Sequence, residues 1–115
     1  LTLAMVETVK AVENIKGICE TKGLDGIFIG SGDLKLSIKA TAKEHVDALF
    51  DQAVNTILNE CQQRGVVAGV WCATTEDAKK MVDKGFKFIA LKSDSMMLTQ
   101  YAKEQTTTLK NILKN

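Results

Sequence analysis

Four apolar runs of strand length, each followed by a longer stretch with helical periodicity, predict an α/β fold. The pattern reads as four consecutive βα units with parallel strands, corresponding to half of a (β/α)8 TIM-type barrel. Three observations carry this. The strand and helix signatures alternate strictly, Gly23, Gly65 and Gly85 close three of the helical stretches, and 115 residues supply four units where a closed barrel needs about 250 residues and eight units. A small open sheet with helices on both faces satisfies the same alternation. The chain is read as a single domain, residues 1–115. It begins directly on a strand and stops after a helix, as expected of a chain cut from something longer or of a half-barrel completed by a partner.

The first strand is expected at Leu1–Val6 and the first helix at Thr8–Thr21, where Val9, Val12, Ile15 and Cys19 form a stripe near 3.6-residue spacing. Gly26–Gly30 is the second strand. Its unbroken Ile27-Phe28-Ile29 suits a parallel strand covered on both faces. Ser31–Thr41 is expected as a loop. A long helix runs from about Ala42 to Arg64, with Val46, Leu49, Phe50, Ala53, Val54, Ile57, Leu58 and Cys61 recurring at three and four. Val66–Cys72 is the third strand. Thr74 or Thr75 followed by Glu76-Asp77 opens the next helix, because a hydroxyl cap and acidic residues suit the positive end of the helix dipole. After Lys84-Gly85, Phe86–Leu91 is the fourth strand, and Ser93-Asp94-Ser95 caps a last helix running through Tyr101 towards Leu113.

Composition narrows the function classes. Fifteen Lys+Arg against fourteen Asp+Glu leave a formal charge of +1, too little positive excess to hold a polyanion, so no nucleic acid partner is expected. Apolar runs such as Val66–Cys72 are far shorter than a membrane span, and nothing at the start resembles a signal peptide. The chain is read as cytoplasmic, with no membrane partner. Cys19, Cys61 and Cys72 are an odd number without metal spacing, and free buried thiols are expected. Arg64 is the sole arginine, so a planar guanidinium clamp must use it or do without.

In parallel α/β folds chemistry collects at the C-terminal ends of the strands. Glu7, Gly30-Ser31-Gly32-Asp33, Cys72 with Thr74 and Thr75, and Lys92-Ser93-Asp94 fall there. Adjacent strands lie about 4.8 Å apart, so Glu7 and Asp33 on neighbouring strand ends can share one hard cation and leave positions open for substrate. The same two residues also read as a first-turn helix acid and a turn cap. Gly30-Ser31-Gly32 lets a ligand approach the backbone, and its N–H groups can form a nest for an anionic oxygen; equally, it is a turn leaving a strand. His45, the single histidine, sits in the polar opening turn of the long helix and pairs with no nucleophile. Cys72 has no basic partner, and Trp71 reads as core.

The segment Glu7-Thr8-Val9-Lys10-Ala11-Val12-Glu13-Asn14-Ile15 and the later Gly23-Leu24-Asp25-Gly26-Ile27-Phe28-Ile29-Gly30-Ser31-Gly32-Asp33-Leu34 resemble the HpcH/HpaI aldolase/citrate lyase family. Gly85-Phe86-Lys87-Phe88-Ile89-Ala90 with Ser93-Asp94 resembles that family's last strand and its G-x-D turn. The likeness covers essentially the whole chain, and FIGxxDL is its most specific element. The resemblance implies the C-terminal half of a (β/α)8 barrel and an oligomer that exchanges its last helix between neighbours. It also implies metal-dependent aldol cleavage or condensation of 4-hydroxy-2-oxo acids, with a pyruvate- or oxaloacetate-type 2-oxo acid and an aldehyde as partners. Glu7 and Asp33 then match the ligands of a divalent metal (Mg²⁺, Mn²⁺ or Co²⁺). Gly30, Ser31, Gly32 and Asp33 match the substrate-binding loop, with the Gly32 and Asp33 amides on the 2-oxo acid's carboxylate.

Three departures stand against the family pattern. Ser31 replaces the usual Pro, Met5 stands where many members have Gln, and the arginine and histidine–acid pair of the barrel's first half have no counterpart here. An isolated half is therefore expected to hold a metal and to be inactive. The rival reading is a non-catalytic half-barrel interaction module that assembles with a fuller paralogue.

Overall fold

A computed structural model describes residues 1–114. It contains four parallel strands, β1 (Leu3–Val6), β2 (Gly26–Ile29), β3 (Val67–Cys72) and β4 (Phe88–Leu91), hydrogen-bonded in the order β1-β2-β3-β4. Sequential order with parallel strands is the arrangement of consecutive barrel staves, and it removes the doubly wound alternative. The six helices are α1 (Val9–Glu13), α2 (Ile15–Cys19), α3 (Ser31–Thr41), α4 (Val46–Arg64), α5 (Thr75–Lys84) and α6 (Asp94–Leu113).

One sheet face carries the core. Val6, Ile27, Ile29, Ala68, Val70 and Cys72 alternate towards the helices and pack with Leu34, Ile38, Val54, Ile57, Leu58 and Cys61. Burying these side chains is worth about 1.5–3 kcal/mol each against exposure. The opposite face, the inside of a barrel, is open: Met5 is 58% exposed and Phe88 44%. Phe28 and Phe88 meet edge to face at 5.7 Å across Gly69, where a Cβ would fall 2.8 Å from the Phe88 ring. Gly69 is thus required by an aromatic pair that closes over its strand.

The stretch expected as the Ser31–Thr41 loop is helix α3. Leu34 and Ile38, one turn apart, seat it on the core, and the chain breaks later, at Ala42–His45, where Ala42 is extended and His45 is left-handed (φ 60°). The long helix accordingly starts at Val46 rather than Ala42. The first helix is divided at Asn14, whose side-chain amide donates to the Lys10 carbonyl at 2.7 Å and competes with the helical ladder. The β1 and β4 ladders start at Leu3 and Phe88, two residues inside the expected bounds, and β2 is assigned to Ile29 although Gly30 N–H still donates to the Val6 carbonyl. Gly65 (φ 67°) ends α4 as expected, and Thr74 caps α5 by accepting from Asp77 N–H at 3.1 Å. No helix is long and apolar enough to cross a membrane among the described residues.

α6 differs from the others. None of its side chains is buried, and Leu98, Tyr101, Leu109 and Ile112 are each more than half exposed.

Candidate functional site

The C-terminal edge of β1 and β2 is built first by the ladder. Val6 pairs with Ile29, so the next residues, Glu7 and Gly30, are neighbours at the rim. Two bonds fix the segment carrying Glu7: Thr8 Oγ1 accepts from Ala11 N–H at 3.1 Å, and Val9 N–H donates to Ser37 Oγ of α3 at 3.1 Å. The Glu7 side chain then lies directly against Gly30. A Cβ at Gly30 would fall 2.6 Å from Glu7 Oε1 and 2.8 Å from Cγ. Since Gly30 has an ordinary φ of −78°, it is glycine here for space and not for conformation.

Gly30 is also the N-cap of α3, with Ser31, Gly32 and Asp33 as its first three helical residues. Their N–H groups have no partner one turn back in the helix, so three donors and the positive end of the helix dipole lie at the same rim as Glu7. Asp33 is exposed in that same turn. Around Gly32 a Cβ would meet nothing within 4 Å. Packing within this chain does not require glycine there, and the backbone is open to approach from outside.

Ser31 has a different engagement. Its hydroxyl donates to the Trp71 carbonyl of β3 at 2.8 Å, tying the first turn of α3 across to the next strand. The composition of the loop gave no hint of this bond, because the partner lies 40 residues away.

Other rim residues are accounted for structurally. Cys72 faces the helix layer, and burial, with Asp77 as a lesser cause, pushes its thiol up, so it is no ready nucleophile. Lys92 follows β4 in the left-handed region (φ 58°), its N–H on the Cys72 carbonyl and its Nζ 2.6 Å from Gln100 Oε1. His45 is an exposed loop residue. Arg64 lies at the opposite edge, just before β3, paired with Glu20 at 3.0 Å and Glu60 at 2.8 Å. A groove of about 630 Å³ between α3, α4 and α5 touches Ser31, Gly32, Trp71 and Cys72, but neither Glu7 nor Asp33 lines it, and its rim mixes Lys80 and Lys84 with Asp77 and Asp83.

Glu7 and Asp33 form no ion pair, and their carboxylates accept no side-chain hydrogen bond, among the described residues. No group of three or more His, Cys, Asp or Glu is placed to hold an ion among the described residues. Glu7 is half-buried against Gly30 and Asp33 is exposed on the first turn of α3, and carboxylates of this kind are hard oxygen donors.

Residues 1–100 match the sequence model of HpcH/HpaI aldolase/citrate lyase. The chain belongs to this family. Within the HpcH/HpaI family it is 28% identical over 104 residues to the hydroxypyruvate/pyruvate aldolase of Paraburkholderia phytofirmans, covering 90% of this chain and 39% of that protein. It is 31% identical over 105 residues to the hydroxypyruvate/pyruvate aldolase of Cupriavidus necator, covering 89% and 38%. Against the 5-keto-4-deoxy-D-glucarate aldolase of Escherichia coli it is 30% identical over 93 residues, covering 80% and 36%. The chain thus spans about two fifths of the length of these curated relatives. Among solved structures it superposes on an HpcH/HpaI family protein from Burkholderia cenocepacia (TM-score 0.82, 24% identity, 94% of this chain and 42% of the other). It also superposes on citrate synthase SbnG (TM-score 0.85, 24% identity, 98% and 46%). These superpositions establish the shared fold.

Proposed function

We propose that this chain forms the C-terminal half of a divalent-metal-dependent aldolase that cleaves or forms 4-hydroxy-2-oxo acids, with a pyruvate-type carbon acid as the constant partner and an aldehyde as the variable one. The observation that carries the reading is the Glu7 carboxylate seated on Gly30 at the N-terminus of α3, in the turn that holds Asp33. The aldolase relatives support the reaction class.

Glu7 and Asp33 would hold the ion, Mg²⁺, Mn²⁺ or Co²⁺. When bound, such a cation stabilises negative charge developing on the substrate's 2-oxo oxygen as the carbon–carbon bond breaks. The remaining work belongs to the chain. The Gly32 and Asp33 amides, with no helical acceptor of their own, bind and orient the substrate carboxylate, and the helix dipole favours its charge. Gly30 and Ser31 hold that turn in place. Trp71 and Phe28, half-buried on the barrel-side face below the rim, would give an apolar floor to the site. No histidine or arginine of this chain stands at the rim, so proton transfer and any guanidinium contact must come from outside these residues, and the 115 residues alone are proposed to be inactive.

The open inner face, the unpaired outer edges of β1 and β4 and the wholly exposed α6 favour assembly. A homo-oligomer exchanging its last helix is the arrangement proposed.

The test is pyruvate release from a 4-hydroxy-2-oxo acid by the complete protein. Activity should vanish with chelator, return with Mn²⁺ and be absent in Glu7→Gln. Turnover that persists in chelator would overturn the assignment.

A further inference from the structure

Ser31 stands where the family's loop carries proline, and the structure shows what the serine does. The β2–β3 ladder stops at the Ile29–Val70 pair, because the chain turns at Gly30 into α3. The Trp71 carbonyl therefore loses the strand N–H that a longer β2 would have offered it. Ser31 Oγ occupies that place as donor, at 2.8 Å and half-buried. The first residue of α3 is thereby bonded to β3, while its neighbours Gly32 and Asp33 carry the amides and carboxylate of the proposed site. Proline cannot make this bond, but its ring fixes φ and is well suited to the first helical position.

We propose that Ser31 is a positioning residue: its hydroxyl, spent on Trp71, sets the orientation of the Gly32–Asp33 turn relative to Glu7 and does not contact the ligand. The inference rests on the metal site assigned to Glu7 and Asp33. It differs from a simple ligand-contact role in one consequence: rigidity of the first helical residue is what matters, and a side chain that supplies rigidity without a hydroxyl should serve.

Mn²⁺ affinity of the complete protein, read by electron paramagnetic resonance of the free ion, separates these roles. Ser31→Ala should weaken Mn²⁺ by about tenfold, the scale at which outer-shell partners act. Ser31→Thr, which keeps the hydroxyl, and Ser31→Pro, which restores rigidity without it, should each bind within about twofold of the parent. Ser31→Ala binding like the parent overturns the proposal, as does Ser31→Pro losing as much as Ser31→Ala, since the hydroxyl would then be needed for itself. Asp33→Asn is the control for the underlying site. Where Asp33→Asn abolishes Mn²⁺ binding and Ser31→Ala leaves it intact, the positioning role alone fails; where Asp33→Asn also changes nothing, the metal site itself is wrong.

Discussion

Gly30→Ala tests the placement of Glu7 with a single methyl group. The Gly30 backbone, at φ −78°, accepts alanine without strain, so the substitution acts through contact alone. The new Cβ would sit 2.6 Å from Glu7 Oε1, 2.8 Å from Cγ and 3.1 Å from Cδ, whereas ordinary contact begins near 3.4 Å. The carboxylate must retreat by the better part of an ångström. Rotating the side chain off its rotamer costs about 0.5–1.5 kcal/mol, which should lower the melting temperature by only a few degrees. Metal binding should suffer more. A ligand displaced by such a distance is expected to weaken Mn²⁺ about 10- to 100-fold, the range in which misoriented metal ligands fall. Titration calorimetry with Mn²⁺, paired with a thermal melt, measures both. Gly32→Ala is the internal control, because its Cβ meets nothing within 4 Å. It should leave Mn²⁺ affinity unchanged while weakening a 2-oxo acid that must approach the backbone. Gly30→Ala binding Mn²⁺ as tightly as the parent would show that the Glu7 carboxylate is not a ligand.

Two further outcomes follow from the backbone and the buried thiols. Lys92→Gly should stabilise the fold by about 0.5–1 kcal/mol in denaturant unfolding, because it relieves a left-handed non-glycine residue against the loss of one exposed hydrogen bond; a destabilised variant would contradict the strain. Cys61, in contact with Cys19 between α2 and α4, is pushed by burial from its ordinary 9.0 up to about 12. A raised thiol keeps its proton in the native state while the unfolded chain loses it, so stability is fully present below pH 9 and falls between 9 and 12. The slope should be about 1.4 kcal/mol per pH unit for that thiol, and Cys61→Ala should flatten it; an unchanged slope in the variant would refute the assignment.

Much of the fold was readable because strand and helix impose different periods. β2 and β3 announce themselves as apolar runs, and α4 buries Phe50, Ala53, Val54, Ile57, Leu58 and Cys61 at helical spacing. α3 was not readable for the converse reason: it buries only Leu34 and Ile38, too short a stripe to outweigh an opening Gly-Ser-Gly. The break at Asn14 depends on a side chain competing with its own backbone, which periodicity does not register. For the site, Glu7 and Asp33 were singled out as candidates by their positions after strands and by the family likeness. The contact of Glu7 with Gly30 and the bond from Ser31 to Trp71 were not, because both arise between segments that meet only when the sheet forms. Trp71, expected in either barrel-side or helix-facing core, lies on the barrel-side face, a choice that alternation within β3 makes.

The ion proposed to be shared by Glu7 and Asp33 is read out by Mn²⁺ binding to the complete protein. Stoichiometric Mn²⁺ binding should fall by at least tenfold in Glu7→Gln and in Asp33→Asn and fall further in the double variant. Parent-like binding in either single variant would contradict the shared ion.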